Sequence, residues 1–146
     1  MTKMKNKLDF SQIPPTWHFC FNDHCTKCDQ CLRYHSGSEI PADLQCGNAI
    51  FPNAVQEDGC PFFRNDEPVQ MATGFIINNN PAMRQAFINL RHHIESITGG
   101  GGSYYLYRNG NKWLTPKQQE QMRKLFANAG YPEPTYERYK YCYDFT

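Results

Sequence analysis

The sequence predicts an α+β fold in which an irregular, cysteine-rich, metal-binding N-terminal segment precedes a βαββαβ half of the ferredoxin-like, split βαβ type. Two observations lead to this prediction. Residues 17–68 hold six of the seven cysteines and show no regular apolar period, whereas residues 69–146 alternate between strand-type and helix-type patterns. We therefore expect a flexible arm over 1–16, a metal-binding segment over 17–68 and an α+β core over 69–146, the last two packed as one domain.

The α+β core is predicted to begin with a strand followed by a helix. Residues 69–78 have the β-branched and aromatic composition of a strand. Asn80 is a favourable helix N-cap and Pro81 suits the first helical position. Apolar side chains then recur every three or four residues, which predicts the buried stripe of one continuous helix. They are Met83, Phe87, Leu90, Ile94 and Ile97.

A β-hairpin is predicted next, after the glycine run that ends this helix. Residues 103–108 are rich in tyrosine, which favours a strand. Asn109-Gly110 is the residue pair preferred by a type I′ hairpin turn. Residues 111–114 are accordingly expected to form the return strand.

The core is predicted to end with a second helix and a fourth strand. Thr115 caps this helix, Pro116 opens it and Gln118 completes a capping box, while Gly130 ends it. Residues 136–145 then predict the last strand, because aromatic residues alternate along them. The residues expected on one face of that strand are Tyr139, Tyr141 and Tyr143.

Composition limits the class of protein. The 146 residues have a net charge of +1, and neither a secretory signal pattern nor an apolar window long enough for a membrane span is found. Seven is an odd number of cysteines, which argues against a fully paired disulfide framework. We therefore expect no membrane association and a cytoplasmic location with reduced thiols.

The cysteines predict a metal centre. Four thiolates suit Zn²⁺ and also suit an iron–sulfur cluster. Two ligand sets are open, and both contain Cys25, Cys31 and Cys60. The fourth ligand is Cys20 in one set and Cys28 in the other, where the spacing is that of a C-x2-C-x2-C run. The histidines that could replace a thiolate are His18, His24 and His35.

A second candidate site is a binding face on the predicted hairpin. Aromatic residues beside basic residues on a sheet can stack nucleic-acid bases, as in the RNA-recognition module, which has the same βαββαβ order. A packing role for these rings is the simpler expectation, so nucleic-acid binding is an alternative and not the main prediction. The face comprises Tyr105, Tyr107, Arg108, Lys112 and Trp113.

Motifs in chain order resemble those of a family of small uncharacterised bacterial proteins, a domain of unknown function. They are Cys20-Phe-Asn, Cys25, Cys31-Leu-Arg-Tyr, Cys60, Met71-Ala-Thr-Gly, Tyr104-Tyr105-x-Tyr107-x-x-Gly110, Leu114-Thr-Pro-x-x-Gln119, Arg138-Tyr139 and Tyr143-Asp-Phe145. The resemblance spans residues 17–146 and implies no activity. It does imply that the recurring ligand set is Cys20, Cys25, Cys31 and Cys60.

The leading functional hypothesis is a non-enzymatic binding protein stabilised by structural zinc, with an unidentified, possible protein partner. The first alternative is an iron–sulfur protein with a redox or sensing role, and the second is a nucleic-acid-binding module. An enzyme is the least favoured class, because the sequence contains no phosphate-binding loop, dinucleotide motif, zinc-protease motif or nucleophile elbow.

Overall fold

The structure is a computed structural model that describes residues 7–146. It divides into two compact units. The N-terminal unit contains the residues up to Glu67 and also Tyr143–Thr146. The C-terminal unit is formed by Pro68–Cys142. The chain therefore leaves the N-terminal unit, builds the C-terminal unit and then returns.

The N-terminal unit has little regular structure. Its longest element is one short helix, α1, and its two three-residue strands pair in parallel with His18 opposite Asn48. Three single turns of 3-10 helix connect these elements. The bounds are Phe10–Gln12 (3-10), β1 His18–Cys20, Cys28–Gln30 (3-10), α1 Leu32–Ser38, β2 Asn48–Ile50 and Pro52–Ala54 (3-10).

A small apolar core holds the N-terminal unit together. Its buried members are Leu8, Trp17, Phe19 and Leu32, and Phe145 packs against them from the end of the chain. Residues 1–6 of the predicted flexible arm lie outside the described residues, but Leu8 is only 5% exposed. The later part of that arm is thus a component of the core.

Helix α1 lies directly against β1. A Cβ atom at Gly37 would collide with the backbone carbonyl of Cys20, so only glycine allows this approach. The indole Nε1 of Trp17 donates a hydrogen bond to the Ser36 hydroxyl at 3.0 Å. These contacts position the end of β1, where Cys20 lies.

The C-terminal unit packs four helices with an antiparallel pair of strands. Val69 lies opposite Cys142 in the pair, and Phe75 lies opposite Tyr136. The bounds are β3 Val69–Phe75, α2 Pro81–Asn89, α3 Arg91–Thr98, α4 Gly101–Arg108, α5 Pro116–Asn128 and β4 Tyr136–Cys142. The buried core comprises Ala72, Phe75, Met83, Ala86, Phe87, Leu90, Ile94, Tyr104, Leu114, Met122, Phe126 and Tyr136.

The α+β class is confirmed, since the chain contains both helices and strands. The predicted first helix begins at Pro81, and the Asn80 side chain accepts a hydrogen bond from the Met83 amide at 2.7 Å. This helix is not continuous, however, because Leu90 has φ −99° and ψ 9° and separates α2 from α3. The apolar stripe passes through the bend, and Ile94 beyond it is fully buried.

The predicted hairpin is wrong. Residues 103–108 belong to helix α4, and the residues after Asn109 form a turn in which the amides of Asn111 and Lys112 donate to the Leu106 carbonyl. The only strand-like pairing of the return segment is a single bridge between Leu114 and Ala72. Among the described residues there is accordingly no βαββαβ arrangement and no four-stranded sheet.

Packing of Tyr104 explains why a helix replaces the strand. Tyr104 is 1% exposed, whereas the neighbouring Tyr105 is 49% exposed. The Arg91 guanidinium lies 3.5 Å from the Tyr104 ring centre, so a side chain of α3 covers the ring. Burial of Tyr104 thus outweighs the strand preference of the tyrosine run. Gly99 ends α3 with a left-handed φ of 88°, which lets the chain turn into α4.

The last predicted strand is confirmed over Tyr136–Cys142 and ends there. Tyr139 and Tyr141 are exposed on it. Tyr143 lies beyond the strand and packs in the N-terminal unit, with its ring 5.5 Å from that of His35. Among residues 7–146, no helix is both long and apolar enough to cross a membrane.

The capping box of α5 gives a stability prediction. The Thr115 hydroxyl accepts from the Gln118 amide at 3.3 Å, and the Gln118 side chain accepts from the Thr115 amide at 3.0 Å. We expect Thr115→Ala to lower the free energy of unfolding by about 1 kcal/mol, because the first turn loses an acceptor. Thr115→Ser keeps the hydroxyl and should cost clearly less. Denaturant unfolding followed by circular dichroism measures both, and equal losses would contradict a capping role.

Candidate metal centre

Five of the seven cysteines line a single cavity in the N-terminal unit. The cavity measures about 260 Å³, and apolar residues such as Ile50, Phe51 and Val55 form part of its wall. Within the described part of the chain, none of these five cysteines forms a disulfide. They are Cys20, Cys25, Cys28, Cys31 and Cys60. The cavity therefore contains every cysteine of both predicted ligand sets.

A strand end and the turns that follow it carry four of these thiols. Cys20 is the last residue of β1. The Cys25 amide donates to the Asn22 carbonyl at 3.4 Å, and the Cys28 amide donates to the Cys25 carbonyl at 3.2 Å. The Cys31 amide then donates to the Cys28 carbonyl at 3.2 Å, immediately before α1 begins. Repeated three-residue turns thus hold Cys25, Cys28 and Cys31 along one short path.

Cys60 reaches the same cavity although it is distant in sequence. The loop that follows it is attached to the start of α1 by backbone hydrogen bonds. The Leu32 amide donates to the Arg64 carbonyl at 2.6 Å, and the Asp66 amide donates to the Gln30 carbonyl at 3.0 Å. These bonds bring the loop of Cys60 beside the turns that carry the other thiols.

A buried arginine lies among the cysteines. Arg33 is 8% exposed, and its guanidinium lies 4.1 Å from the Trp17 ring centre. Its Nε donates to the Phe62 carbonyl at 2.7 Å, and its Nη1 donates to the His18 carbonyl at 3.0 Å. The side chain therefore joins β1 to the loop of Cys60. Within residues 7–146 it has no carboxylate partner at ion-pair distance.

Three cysteines act electrostatically on this arginine. Burial lowers the pKa of Arg33, as does the nearby charge of Arg64, while negative charge on Cys31, Cys60 or Cys20 raises it. Arginine remains protonated throughout the physiological range even so. A permanent buried cation is thus available to three of the predicted ligands.

Cys28 has a different electrostatic environment. Burial raises the pKa of its thiol, and negative charges on Asp29 and Cys25 raise it further. Its Sγ also lies 3.9 Å from the Asp23 carbonyl oxygen. These surroundings favour the neutral thiol at Cys28 over the thiolate.

The remaining candidate ligands lie away from this cavity. The His24 side chain is 94% exposed and lies 3.5 Å from Asp23, and His18 is exposed on β1, with its backbone carbonyl bound by Arg33. Cys46 is exposed and lines other cavities, and Cys142 lies in β4 of the C-terminal unit. His35 is buried, with its Nε2 3.3 Å from the Glu39 carboxylate, and none of the three predicted histidines lines the cysteine cavity.

The thiols share a cavity without forming a finished coordination sphere. In the part of the chain that the structure describes, no three His, Cys, Asp or Glu side chains are grouped so that they could hold a metal ion. The choice of metal and of ligands therefore stays a prediction. Chemically, the cavity offers five sulfur donors, a buried positive charge and an apolar wall.

The predicted binding face lies in the C-terminal unit, on α4 and the turn after it. Tyr105 is half exposed, whereas Tyr107 packs partly against the core. The face is not the surface of a sheet, because α4 is a helix. The residues of the face that lie at the helix end or on the turn are Arg108, Lys112 and Trp113.

Sequence reasoning missed three cations that the structure places at these two sites. Arg33 lies among the cysteines, and both Arg138 and Lys140 from β4 lie over the Trp113 ring. The alternation of basic and aromatic residues along 136–141 was a usable signal for the pair on β4. Arg33 stands in the motif Cys31-Leu-Arg-Tyr, but the motif assigns it no role, because its partners come from two distant segments.

The contacts of Arg33 give a second stability prediction. We expect Arg33→Met to lower the free energy of unfolding by about 2–4 kcal/mol, because two buried carbonyls lose their donor. Arg33→Lys should rescue only part of this, since an ammonium cannot reproduce the planar fork of donors. Denaturant unfolding monitored by tryptophan fluorescence measures the change.

Arg64→Met is the matched control for this prediction. Arg64 is exposed and donates to the Phe63 and Thr146 carbonyls at the surface. Its replacement should cost less than about 1 kcal/mol. Equal losses of stability at the two positions would show that the contacts of Arg33 contribute no more than those of an exposed arginine.

Comparisons with known proteins are consistent with the resemblance seen in the motifs. A search of curated proteins and a search of solved structures each gave no match. A family model described as "Family of unknown function (DUF6078)" matches residues 3–145, which is almost the whole chain. The chain therefore belongs to this family of unknown function.

Proposed function

We propose that this chain is a small bacterial binding protein whose N-terminal unit is stabilised by a structural zinc ion held by Cys20, Cys25, Cys31 and Cys60. The observation that carries the proposal is the shared cavity, into which two distant segments bring all of these thiols. Four thiolates are a common complete ligand set for structural zinc. The site would have no open coordination position, which suits a structural role and not catalysis.

The small core of the N-terminal unit supports the need for a metal. Among residues 7–146, its cluster of buried residues has four members, Leu8, Trp17, Phe19 and Leu32, whereas twelve residues form the cluster of the C-terminal unit. Small units with limited apolar burial commonly require a disulfide or a metal for stability. Reduced thiols in the cytoplasm, the compartment expected here, leave metal binding as the available route.

Charge balance favours the ligand set that contains Cys20. A Zn²⁺ ion with four thiolates carries a net charge of −2, which is costly to bury without a counter-charge. Arg33 supplies a buried positive charge that interacts with Cys20, Cys31 and Cys60. Cys28 is not among the thiols that act on this arginine. Three of the four cysteines of the set implied by the family resemblance therefore interact with this cation, against two of the four in the other set.

Binding of the ion would require the thiol-bearing turns to close. The four cysteines lie on turns, at a strand end and on a loop, where modest backbone movement is less costly than within long helices or strands. The free energy of ligation would then add to the folding free energy of the unit. An iron–sulfur cluster would use the same donors and is the alternative outcome of the test below.

The first test is elemental analysis with an ultraviolet–visible spectrum on protein purified anaerobically with a reductant. We expect about one zinc per chain and no visible absorbance. Iron with sulfide and a broad visible band would replace the structural zinc by a cluster with a redox or sensing role. Protein that folds without any metal, and that gains no stability from added zinc, would overturn the proposal.

Single substitutions then test the ligand set. Cys20→Ser, Cys31→Ser and Cys60→Ser should each lose most of the zinc and lower the thermal midpoint, because ligation free energy is folding free energy. Cys46→Ser is the matched control, since Cys46 is exposed and lies outside the cysteine cavity. Cys28→Ser separates the two ligand sets. Zinc retained in Cys28→Ser but lost in Cys20→Ser supports the proposed set, and the reverse result contradicts it.

A further inference from the structure

Strand β4 presents an open and highly exposed edge. It pairs with β3 on one side in a two-stranded sheet, and among the described residues no strand pairs with its other side. Every residue from 137 to 141 is exposed. The edge is therefore accessible to a partner over these five residues.

Basic and aromatic side chains surround this edge. Lys140 Nζ lies 4.4 Å from the Trp113 ring centre, and the Arg138 guanidinium carbon lies 5.5 Å from it. Arg138 also donates to the Gly110 carbonyl at 3.0 Å, so β4 lies beside the turn that follows α4. Tyr141 is 73% exposed and Tyr139 is 49% exposed.

A side chain of β3 also attaches this turn to the sheet. The Thr73 hydroxyl of β3, which is fully buried, donates to the Lys112 carbonyl and is also within hydrogen-bond distance of the Tyr107 carbonyl. The turn therefore lies on the same face of the sheet as Arg138, which is paired with Thr73, and as Lys140. Tyr139 and Tyr141 project from the opposite face of β4, so the open edge runs between the cations and the two tyrosines. We define the β4 surface by its members Arg108, Lys112, Trp113, Arg138, Tyr139, Lys140 and Tyr141.

The charge of this surface is unbalanced. The C-terminal unit contains nine Lys and Arg residues but four Asp and Glu residues. Two of those acids form ion pairs elsewhere, Glu95 with Arg91 and Glu120 with Arg123. Within residues 7–146, the four cations of the β4 surface form no ion pair with a carboxylate. Uncompensated cations next to exposed rings favour a partner that carries both negative charge and flat apolar groups.

We propose that the β4 surface binds single-stranded nucleic acid. Phosphates supply the negative charge that the four cations lack, and unpaired bases can stack on exposed aromatic rings. Tyr139 and Tyr141 are two residues apart on a strand, so their side chains share the face opposite Arg138 and Lys140 and lie about 7 Å apart. A single strand that follows the open edge can place its phosphates on the cation side and one base on each tyrosine. Duplex bases are stacked on one another and cannot use these rings in this way.

Pairing with a protein strand is less well supported by the same edge. Glu137, Arg138 and Lys140 place a charge at three of five consecutive positions, a feature by which natural edge strands avoid pairing with other strands. The proposal is independent of the metal centre, because every residue of the β4 surface lies in the C-terminal unit. Loss of zinc and loss of nucleic-acid binding can therefore be measured separately.

The test is fluorescence anisotropy of the full chain with labelled oligothymidylate, labelled oligouridylate and a labelled duplex, at several salt concentrations. We expect both single strands to bind more tightly than the duplex. Affinity should fall linearly with the logarithm of salt concentration, as it does when phosphate contacts release counterions. No binding at low salt, or affinity that does not depend on salt, would overturn the proposal.

Two substitutions test the role of the surface. The double variant Arg138→Ala/Lys140→Ala should reduce the slope of log affinity against log salt by about 1.4, or about 0.7 for each phosphate that no longer meets a cation. Tyr141→Ala should weaken binding about 5- to 150-fold, the effect of removing one base-stacking ring, with little change in that slope. If these side chains only stabilised the fold, the double variant would not change the salt slope while Tyr141→Ala left that slope nearly unchanged.

The control removes the same charge from other elements of the unit. Arg84 on α2 and Lys124 on α5 are both exposed, and Arg84→Ala/Lys124→Ala should leave most of the affinity intact. An equal loss in this control would mean that net charge, not the β4 surface, attracts the oligonucleotide. A dimer that disappears on Arg138→Ala/Lys140→Ala, in protein that binds no oligonucleotide, would identify the edge as a contact between protein chains and overturn the proposal.

Discussion

Burial of one guanidinium group organises the N-terminal unit. Arg33 extends from α1, packs on the ring of Trp17 and satisfies the carbonyls of His18 and Phe62. Those carbonyls belong to β1 and to the loop of Cys60, two segments that are distant in sequence. A buried cation with fixed donor geometry helps to define their spacing, because an unmet carbonyl or an unbalanced charge is costly away from water. Cys20 at the end of β1 and Cys60 line the same cavity, so this spacing contributes to the cavity.

The buried charge of Arg33 also affects which ligands the cysteine cavity can hold. Negative charge on Cys31, Cys60 or Cys20 raises the pKa of Arg33, so this cation can balance part of such charge. The same side chain thus joins β1 to the loop of Cys60 and provides a counter-charge for a ligand that needs thiolates. It therefore links the proposed metal site to folding.

Local signals in the sequence predicted the ends of helices well and the hairpin badly. Asn80 and Thr115 cap helices as expected, because a cap depends only on the residues of the first turn. The run around Tyr104 was assigned to a strand on composition, whereas its helix depends on Arg91 of α3, which covers the ring. The cysteine types and spacings were enough to predict a candidate site. Its electrostatic centre was not predictable, since Arg33 draws its partners from β1 and from a loop almost thirty residues farther along the chain.

The return of Tyr143–Thr146 to the N-terminal unit has a consequence for biosynthesis. Phe145 packs edge-on against Trp17, with ring centres 5.1 Å apart, so the last residues complete a core that the first residues began. During translation the ribosome releases the C-terminal unit before it releases this closing segment. The N-terminal unit must therefore wait, with its cysteines exposed to solvent, while the rest of the chain is made. Folding of the N-terminal unit is therefore completed only after the C-terminal unit has been synthesised, although most of its residues are made first.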